Sequence, residues 1–290
     1  MSVDFLQDKI RKLKNPSMVD FFITPDKLPA QLLEGRSEVQ AYGLFCRDLL
    51  EGLKNLVPAV RFSMGTFSLY GPEGLKELSE TLRYAKEQGY YVLLDAPETL
   101  SHLSAELTAR MLTEGAEFPC DGILISAYLG SDILKAYVPY CKKNQKSLFV
   151  LARTANRSAA EIQDLLSGSR LVHSASAGII NRFGENLIGK CGYSKVAMVC
   201  AVGAANCTRE LRRTYPKSFL LMDGYDYPGA NNKKCKYGFD EFGHGAIACA
   251  GMSVTAAWQE QEDTGEDYVV CAVEAAEKMR RNLARYITVL

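Results

Sequence analysis

The chain has no excess of either charge: 34 Lys plus Arg balance 34 Asp plus Glu over 290 residues. Without a net field, nothing at long range draws it to nucleic acid or to an anionic membrane. A short basic patch such as Arg11-Lys12-Leu13-Lys14 then reads as a solvated helix face. The nine cysteines include no Cys-x-x-Cys pair, which excludes the common zinc and redox motifs and predicts reduced thiols rather than a disulfide frame. Only three histidines occur, His102, His173 and His244, and none sits in a run with metal-ligand spacing, so no metal is expected. No apolar run approaches the roughly 18 residues a membrane span needs, and the first ten residues carry no signal-peptide stretch. The expectation is a soluble, cytoplasmic protein with neither nucleic-acid nor membrane partners. Repeats, low-complexity tracts and long linkers are also missing, so residues 1–290 are read as one domain.

What is present is alternation. Short apolar runs rich in Val, Ile, Leu and Phe occur at 18–23, 58–63, 91–95, 122–126, 147–153, 195–201, 218–222 and 245–249. Segments of helical period separate them, the pattern of a parallel sheet covered by helices. In 72–88, Leu75, Leu78, Leu82 and Ala85 recur at steps of three and four and predict one buried face; 131–143 is a second helix. Eight strand-helix units fit a (β/α)8 TIM barrel, whereas a doubly wound sheet more often stops at five or six strands. The reading is an α/β barrel with an N-terminal helix and an amphipathic C-terminal helix over 267–286.

In such a barrel the functional residues follow the strands, at their carboxyl ends. Those positions hold Thr24 and Asp26, Arg61 and Ser63, Asp95 and Glu98, Ser126 and Tyr128, Arg153 to Asn156, Gly203, Asp223 to Tyr227, and Gly251 to Ser253. The rim is polar and mixed in charge. The candidate binding residues are Ser63, Ser126, Thr154, Asn156, Asp223, Tyr225, Gly229 and Gly251, with Arg61 and Asp95 as candidate catalytic groups. Arg61, Arg153, Asp223 and Asp226 either bind a zwitterionic or anionic small molecule together or form plain salt bridges.

Eight stretches, in order along the chain, carry a family resemblance. They are Asn15-Pro-Ser-Met-Val19, Val57-Pro-Ala-Val-Arg61, Tyr70-Gly-Pro-Glu-Gly-Leu75, Tyr128-Leu-Gly-Ser-Asp132, Leu148-Phe-Val-Leu-Ala-Arg-Thr154, Ile188-Gly-Lys-Cys-Gly-Tyr-Ser194, Val202-Gly-Ala-Ala205 and Phe239-Asp-Glu-Phe-Gly-His-Gly-Ala-Ile247. Together they resemble the longer bacterial branch of the orotidine 5′-phosphate decarboxylase family. The resemblance implies a dimeric barrel that takes a nucleotide monophosphate and removes carbon dioxide from its pyrimidine without metal or cofactor. It also implies a lysine in an Asp-x-Lys-x-x-Asp segment after the third strand, which stabilises and protonates the carbanion-like carbon.

Here that segment reads Asp95-Ala-Pro-Glu-Thr-Leu100, with Pro97 at the lysine position and Leu100 at the second aspartate position. By ungapped count the aspartate implied at the end of the first strand falls on Phe22, and the lysine implied after the second strand is Arg61. The pyrimidine-reading serine falls on Ala155, and the phosphate-gripping glutamine and arginine fall on Pro228 and Met252. Proline carries no charge, and arginine holds its proton too tightly to act as an acid near neutral pH. Backbone amides near Gly229 and Gly251, helped by Lys233 or Lys234, are the remaining route to a phosphate.

Two bland readings stand beside these. Asp95 is a helix cap, with Pro97 and Glu98 in the first turn, and Leu100, Leu103, Leu107 and Met111 make an apolar helix stripe. The leading functional expectation is a non-catalytic or repurposed barrel that binds a small ligand, such as a nucleotide monophosphate, or a protein partner. Its rival is an active decarboxylase using Arg61, Asp95 and Glu98. A different lyase on the same barrel would need an activated lysine at a strand end, and none is well placed.

Overall fold

Runs of Val, Leu, Ile and Phe buried on both faces form strands only when both faces are covered, and here they close on themselves. The computed structural model describes residues 2–96, 101–228, 230, 232–261 and 265–290. Eight parallel strands make the barrel: β1 (Ser17–Asp20), β2 (Ala59–Ser63), β3 (Tyr91–Asp95), β4 (Gly122–Ser126), β5 (Ser147–Arg153), β6 (Val196–Ala201), β7 (Leu220–Asp223) and β8 (Ala246–Ala250). Each pairs with its sequence neighbours, and β8 returns to β1 with Ser17 opposite Ala248. The expected eight-stranded barrel is therefore present, with several strand ends displaced by one to three residues from the apolar runs. An antiparallel hairpin, Leu166–Ser167 with Arg170–Leu171, follows β5 and was not anticipated.

Helices α1 (Val3–Leu13), α2 (Glu38–Gly52), α3 (Gly71–Glu87), α4 (His102–Ala109), α5 (Ser131–Lys143), α6 (Val172–Gly184), α7 (Ala205–Thr214) and α8 (Tyr268–Ala284) accompany the strands. On α3, Leu78, Leu82 and Ala85 are fully buried, as their spacing predicts. The side chains of α1 reach the segments that lead into three strands. Gln7 accepts from the Gly245 amide at 2.9 Å, Asp4 from the Cys191 amide at 2.8 Å, and Lys9 donates to the Gly89 carbonyl. That helix closes the amino-terminal end of the barrel and leaves the carboxyl end open. The last helix, α8, packs beside α2 and completes the outer ring.

The α4 stripe departs from expectation. Ala105 and Ala109 are buried, while Leu103 and Leu107 are 59% and 56% exposed. Small residues at i and i+4 let the helix lie close to its neighbours, which turns the leucines outward. The helix begins at Ser101, which accepts from the Ser104 amide at 3.1 Å and is answered by the Ser104 hydroxyl on its own amide. Asp95 is therefore not its cap. Pro97, Glu98 and Leu100 lie outside the described residues.

Candidate active site at the barrel mouth

A cavity of about 760 Å3 opens at the carboxyl ends of the strands. Its floor is built by β1 and β2, where Asp20 and Arg61 are register partners on adjacent strands. Tyr42 of α2 donates to the Phe21 carbonyl at 2.6 Å and pins the chain just past Asp20. The Arg61 guanidinium donates to the Asp20 carboxylate through one nitrogen and lies 3.1 Å from Asp223 through another. All three side chains are largely withdrawn from solvent, at 13%, 11% and 26% exposure for Arg61, Asp20 and Asp223.

Burial alone would pull the guanidinium toward release of its proton, but Asp20 and Asp223 hold it well above its ordinary range. Burial pushes the Asp20 carboxyl up, against the pull of Arg61. The second oxygen of that carboxylate, Oδ1, is buried and has no hydrogen-bond partner. Asp95, opposite Ser63 in the β2–β3 register, is pushed up to about 6, chiefly by burial; Arg61 opposes the shift, and Asp20 and Asp223 add to it. Four groups of β1, β2, β3 and β7 thus form one electrostatic unit of three carboxyls around one cation.

Above this floor, Asp226 accepts from two backbone amides, Gly251 at 2.9 Å and Ser253 at 3.0 Å. A side-chain carboxylate of the protein therefore occupies the amide that sequence reasoning offered to a phosphate. Lys234 borders a different cavity with Arg153 and His173, and Lys233 lies 6.0 Å from the Tyr286 ring. Neither lines the mouth. Gly224, at a positive φ of +71°, carries the β7 turn so close to β5 that a Cβ would fall 2.8 Å from that of Ala155. Phe22, Ala155, Pro228 and Met252 all line the cavity, with Phe22 45% and Met252 41% exposed.

Of the candidate binding residues, Thr154, Asn156, Asp223 and Gly251 line the mouth. Ser63 stands beside Asp95 at the end of β2, and Ser126 accepts from the Tyr128 amide at 3.2 Å; neither forms the cavity wall. Tyr225 is buried and borders a separate cavity on the α8 side rather than the mouth. Gly229 lies outside the described residues. Arg153 does not join Arg61: past a register shift in β5 between Leu151 and Arg153 its guanidinium pairs with Asp164 at 2.8 Å and borders an adjoining cavity together with Ala155, Asn156 and Pro228. His173 completes that cluster, 3.1 Å from Asp164, so one of the three histidines does sit beside a carboxylate.

Sequence reasoning missed Asp20. The signal was present, since a charge inside an apolar strand needs a partner, and the two-residue period of a strand puts position 20 on the same face as position 22. Asp226 and Lys27 were also underweighted; the Lys27 ammonium stands at the rim and donates to Gln259 at 2.9 Å. Cys249 lies in the floor beside Arg61, and burial raises its thiol well above the usual range, so it is inert packing. Among the described residues, no set of three or more His, Cys, Asp or Glu side chains is arranged to hold a metal, and no helix is long and apolar enough to cross a membrane.

No family model matches the chain. An orotidine 5′-phosphate decarboxylase of Clostridium novyi is 25% identical over 285 residues, 98% of each chain. Among solved structures, the orotidine 5′-monophosphate decarboxylase of Plasmodium berghei superposes with a TM-score of 0.78 at 15% identity, over 98% of this chain and 97% of that one. The enzyme of Methanocaldococcus jannaschii, solved with the inhibitor BMP, gives 0.62 at 14% identity, over 93% and 98%. The chain is thus similar from end to end to a curated orotidine 5′-phosphate decarboxylase and closes into the same barrel as the solved ones.

Proposed function

We propose that this chain is a repurposed member of its family, a barrel that binds a small ligand at its mouth and does not remove carbon dioxide from orotidine 5′-monophosphate. The observation that carries this reading is the state of Arg61. Its guanidinium is engaged by Asp20 and Asp223 and cannot give up a proton at neutral pH. The sequence adds Pro97 and Leu100 where the resemblance implies the lysine and the second aspartate. The substrate brings a phosphate and a carboxylate to a mouth lined by Asp20, Asp223 and Asp226, with Asp95 near enough to feel the charge of the first two. At about 5 Å and an effective dielectric of about 20, each uncompensated like-charge pair opposes binding by roughly 3 kcal/mol.

The test is carbon dioxide release, or the accompanying ultraviolet absorbance change, when purified protein is incubated with orotidine 5′-monophosphate. No turnover is expected. One observation favours a second reading, an active decarboxylase: a carboxyl near 6 at Asp95 is a competent proton donor. Turnover abolished by Asp95→Asn would establish that reading and sink the first.

The same proposal includes a cytoplasmic homodimer and one domain over residues 1–290. Exposed Leu103 and Leu107 on α4 and exposed Tyr128 and Leu129 after β4 support an apolar self-association face beside the mouth. The nucleotide monophosphate that the resemblance implies would bring its phosphate to the same acidic mouth and is disfavoured there.

A further inference from the structure

We infer that a second ligand site adjoins the mouth, in two linked cavities beside β5, β6 and the β7 turn, and that it takes a small organic phosphate monoester. The phosphate sits against Arg153, His173, Lys234 and the first amides of α7, and the organic body lies in the slot beside Pro228. The mouth shares Ala155, Asn156, Tyr227 and Pro228 with a cavity of about 430 Å3, whose wall also holds Ala201 and Ala204 and suits an apolar body. That cavity in turn shares Arg153, Gly203 and Ala204 with one of about 320 Å3, bordered by His173, Asn206, Cys207 and Lys234.

His173 points to the ligand. Its side chain is only 6% exposed. Nδ1 lies 3.0 Å from the Gln163 carbonyl, which can only accept, and 3.1 Å from Asp164, so Nδ1 carries a hydrogen. Nε2 has no hydrogen-bond partner among the described residues, yet it is not sealed off from the cavity that His173 borders. A nitrogen so deeply placed is better satisfied by a group that enters the cavity. The donors an anion needs stand around it. Arg153 uses three of its five N–H groups, two on Asp164 and one on the Thr154 carbonyl, and two remain. Helix α7 starts after Ala204 without a side-chain cap, so the amides of Ala205, Asn206 and Cys207 open it without intrahelical acceptors. Arg153, Arg157 and Lys234 against Asp164 and Glu210 give the two cavities one net positive charge. The mouth, with Arg61 and Lys27 against Asp20, Asp223 and Asp226, carries one net negative charge, so an anion is favoured next to the mouth rather than in it. With Nδ1 protonated, the neutral ring offers a lone pair at Nε2 and calls for a proton donor, while the other groups call for an anion. A phosphate monoester as its monoanion is both, since it keeps one P–OH beside its acceptor oxygens near neutral pH, and a sulfate ester keeps none. Met252, at the position of the phosphate-gripping arginine that the resemblance implies, borders neither cavity.

Calorimetry on the full chain at pH 7 with phenyl phosphate, phenyl sulfate and phenol tests the assignment. Phenyl phosphate should bind about tenfold or more tighter than phenol and about fivefold tighter than phenyl sulfate, the scale of the added hydrogen bonds. His173→Asn keeps a donor near the Nδ1 position and removes Nε2; it should bring phosphate and sulfate to within about twofold of each other and leave phenol unchanged. Lys234→Ala, at an exposed side chain, should weaken both anions about two- to fivefold, and it serves if the His173 variant does not fold. No binding, phosphate no tighter than phenol, or phosphate equal to sulfate in the parent overturns the assignment. So does an affinity that Lys234→Ala leaves unchanged, and a loss with Lys27→Ala in its place would put the anion at the mouth.

Discussion

Arg61 and Asp20 face each other across paired positions of β2 and β1, and the guanidinium donates to a carboxylate that has almost no access to solvent. A buried pair of this kind contributes little over an apolar pair of the same volume, yet removing one partner strands the other. Arg61→Met should destabilise the protein by about 3–5 kcal/mol in urea unfolding. The double variant Asp20→Asn with Arg61→Met should recover at least about 1 kcal/mol of that loss, because the stranded carboxylate is gone. Additive losses would show that the two side chains are not coupled.

Asp95 gives stability a pH dependence of known sign. Its carboxyl is raised from 3.8 to about 6 in the folded protein, so the folded state binds the proton more tightly than the unfolded chain. The ionisation penalty is absent below pH 4, grows as pH rises through 6, and reaches up to roughly 3 kcal/mol above pH 7. Asp95→Asn should therefore be more stable than the parent at pH 8 and close to it at pH 4. Urea midpoints across that range check this, and a parallel dependence in both proteins would remove Asp95 as its source.

Asp226 ties the β7 turn to the start of the segment after β8 through the Gly251 and Ser253 amides. Asp226→Ala leaves both donors without that acceptor and should cost about 1–3 kcal/mol. Amide hydrogen exchange at residues 251 and 253 should accelerate in the variant, while exchange in the strands should follow only the global loss.

Leu103 and Leu107 make the α4 surface a test of self-association. Leu103→Glu with Leu107→Glu should change unfolding free energy by no more than about 0.5 kcal/mol, since both side chains already face solvent. The same variant should shift sedimentation toward the monomer. Ala105→Leu, in contrast, forces a larger side chain into a filled contact and should cost about 1–3 kcal/mol. An unchanged sedimentation coefficient would remove this face from the interface.

The periodic signals were legible because they repeat. Leu78, Leu82 and Ala85 announced the buried face of α3, and the limits of β3, β4 and β5 coincide with their apolar runs to the residue. The α4 stripe misled because an apolar spacing marks a face without saying which face is covered. Ala105 and Ala109 decided that by allowing close approach. At the mouth, Arg61, Asp95 and Asp223 were found by their position after strands, while Asp20 was passed over for Phe22 two residues later. Counting along a resemblance locates where a family keeps a group and says nothing of a charge that stands two residues away.

Residue order alone determined the eight-unit barrel and the open carboxyl end where polar side chains gather, because two-residue and 3.6-residue periods act over short stretches of chain. It also placed Pro97 and Leu100 where the family's lysine and aspartate are implied. Only the folded barrel decided which charges meet: Arg61 with Asp20 and Asp223, Arg153 with Asp164 instead, and Asp226 on the Gly251 and Ser253 amides. Those partners are 11 to 162 residues apart, and a salt bridge depends on distances of a few ångström that strand register, a β5 irregularity and loop closure set after the chain has folded.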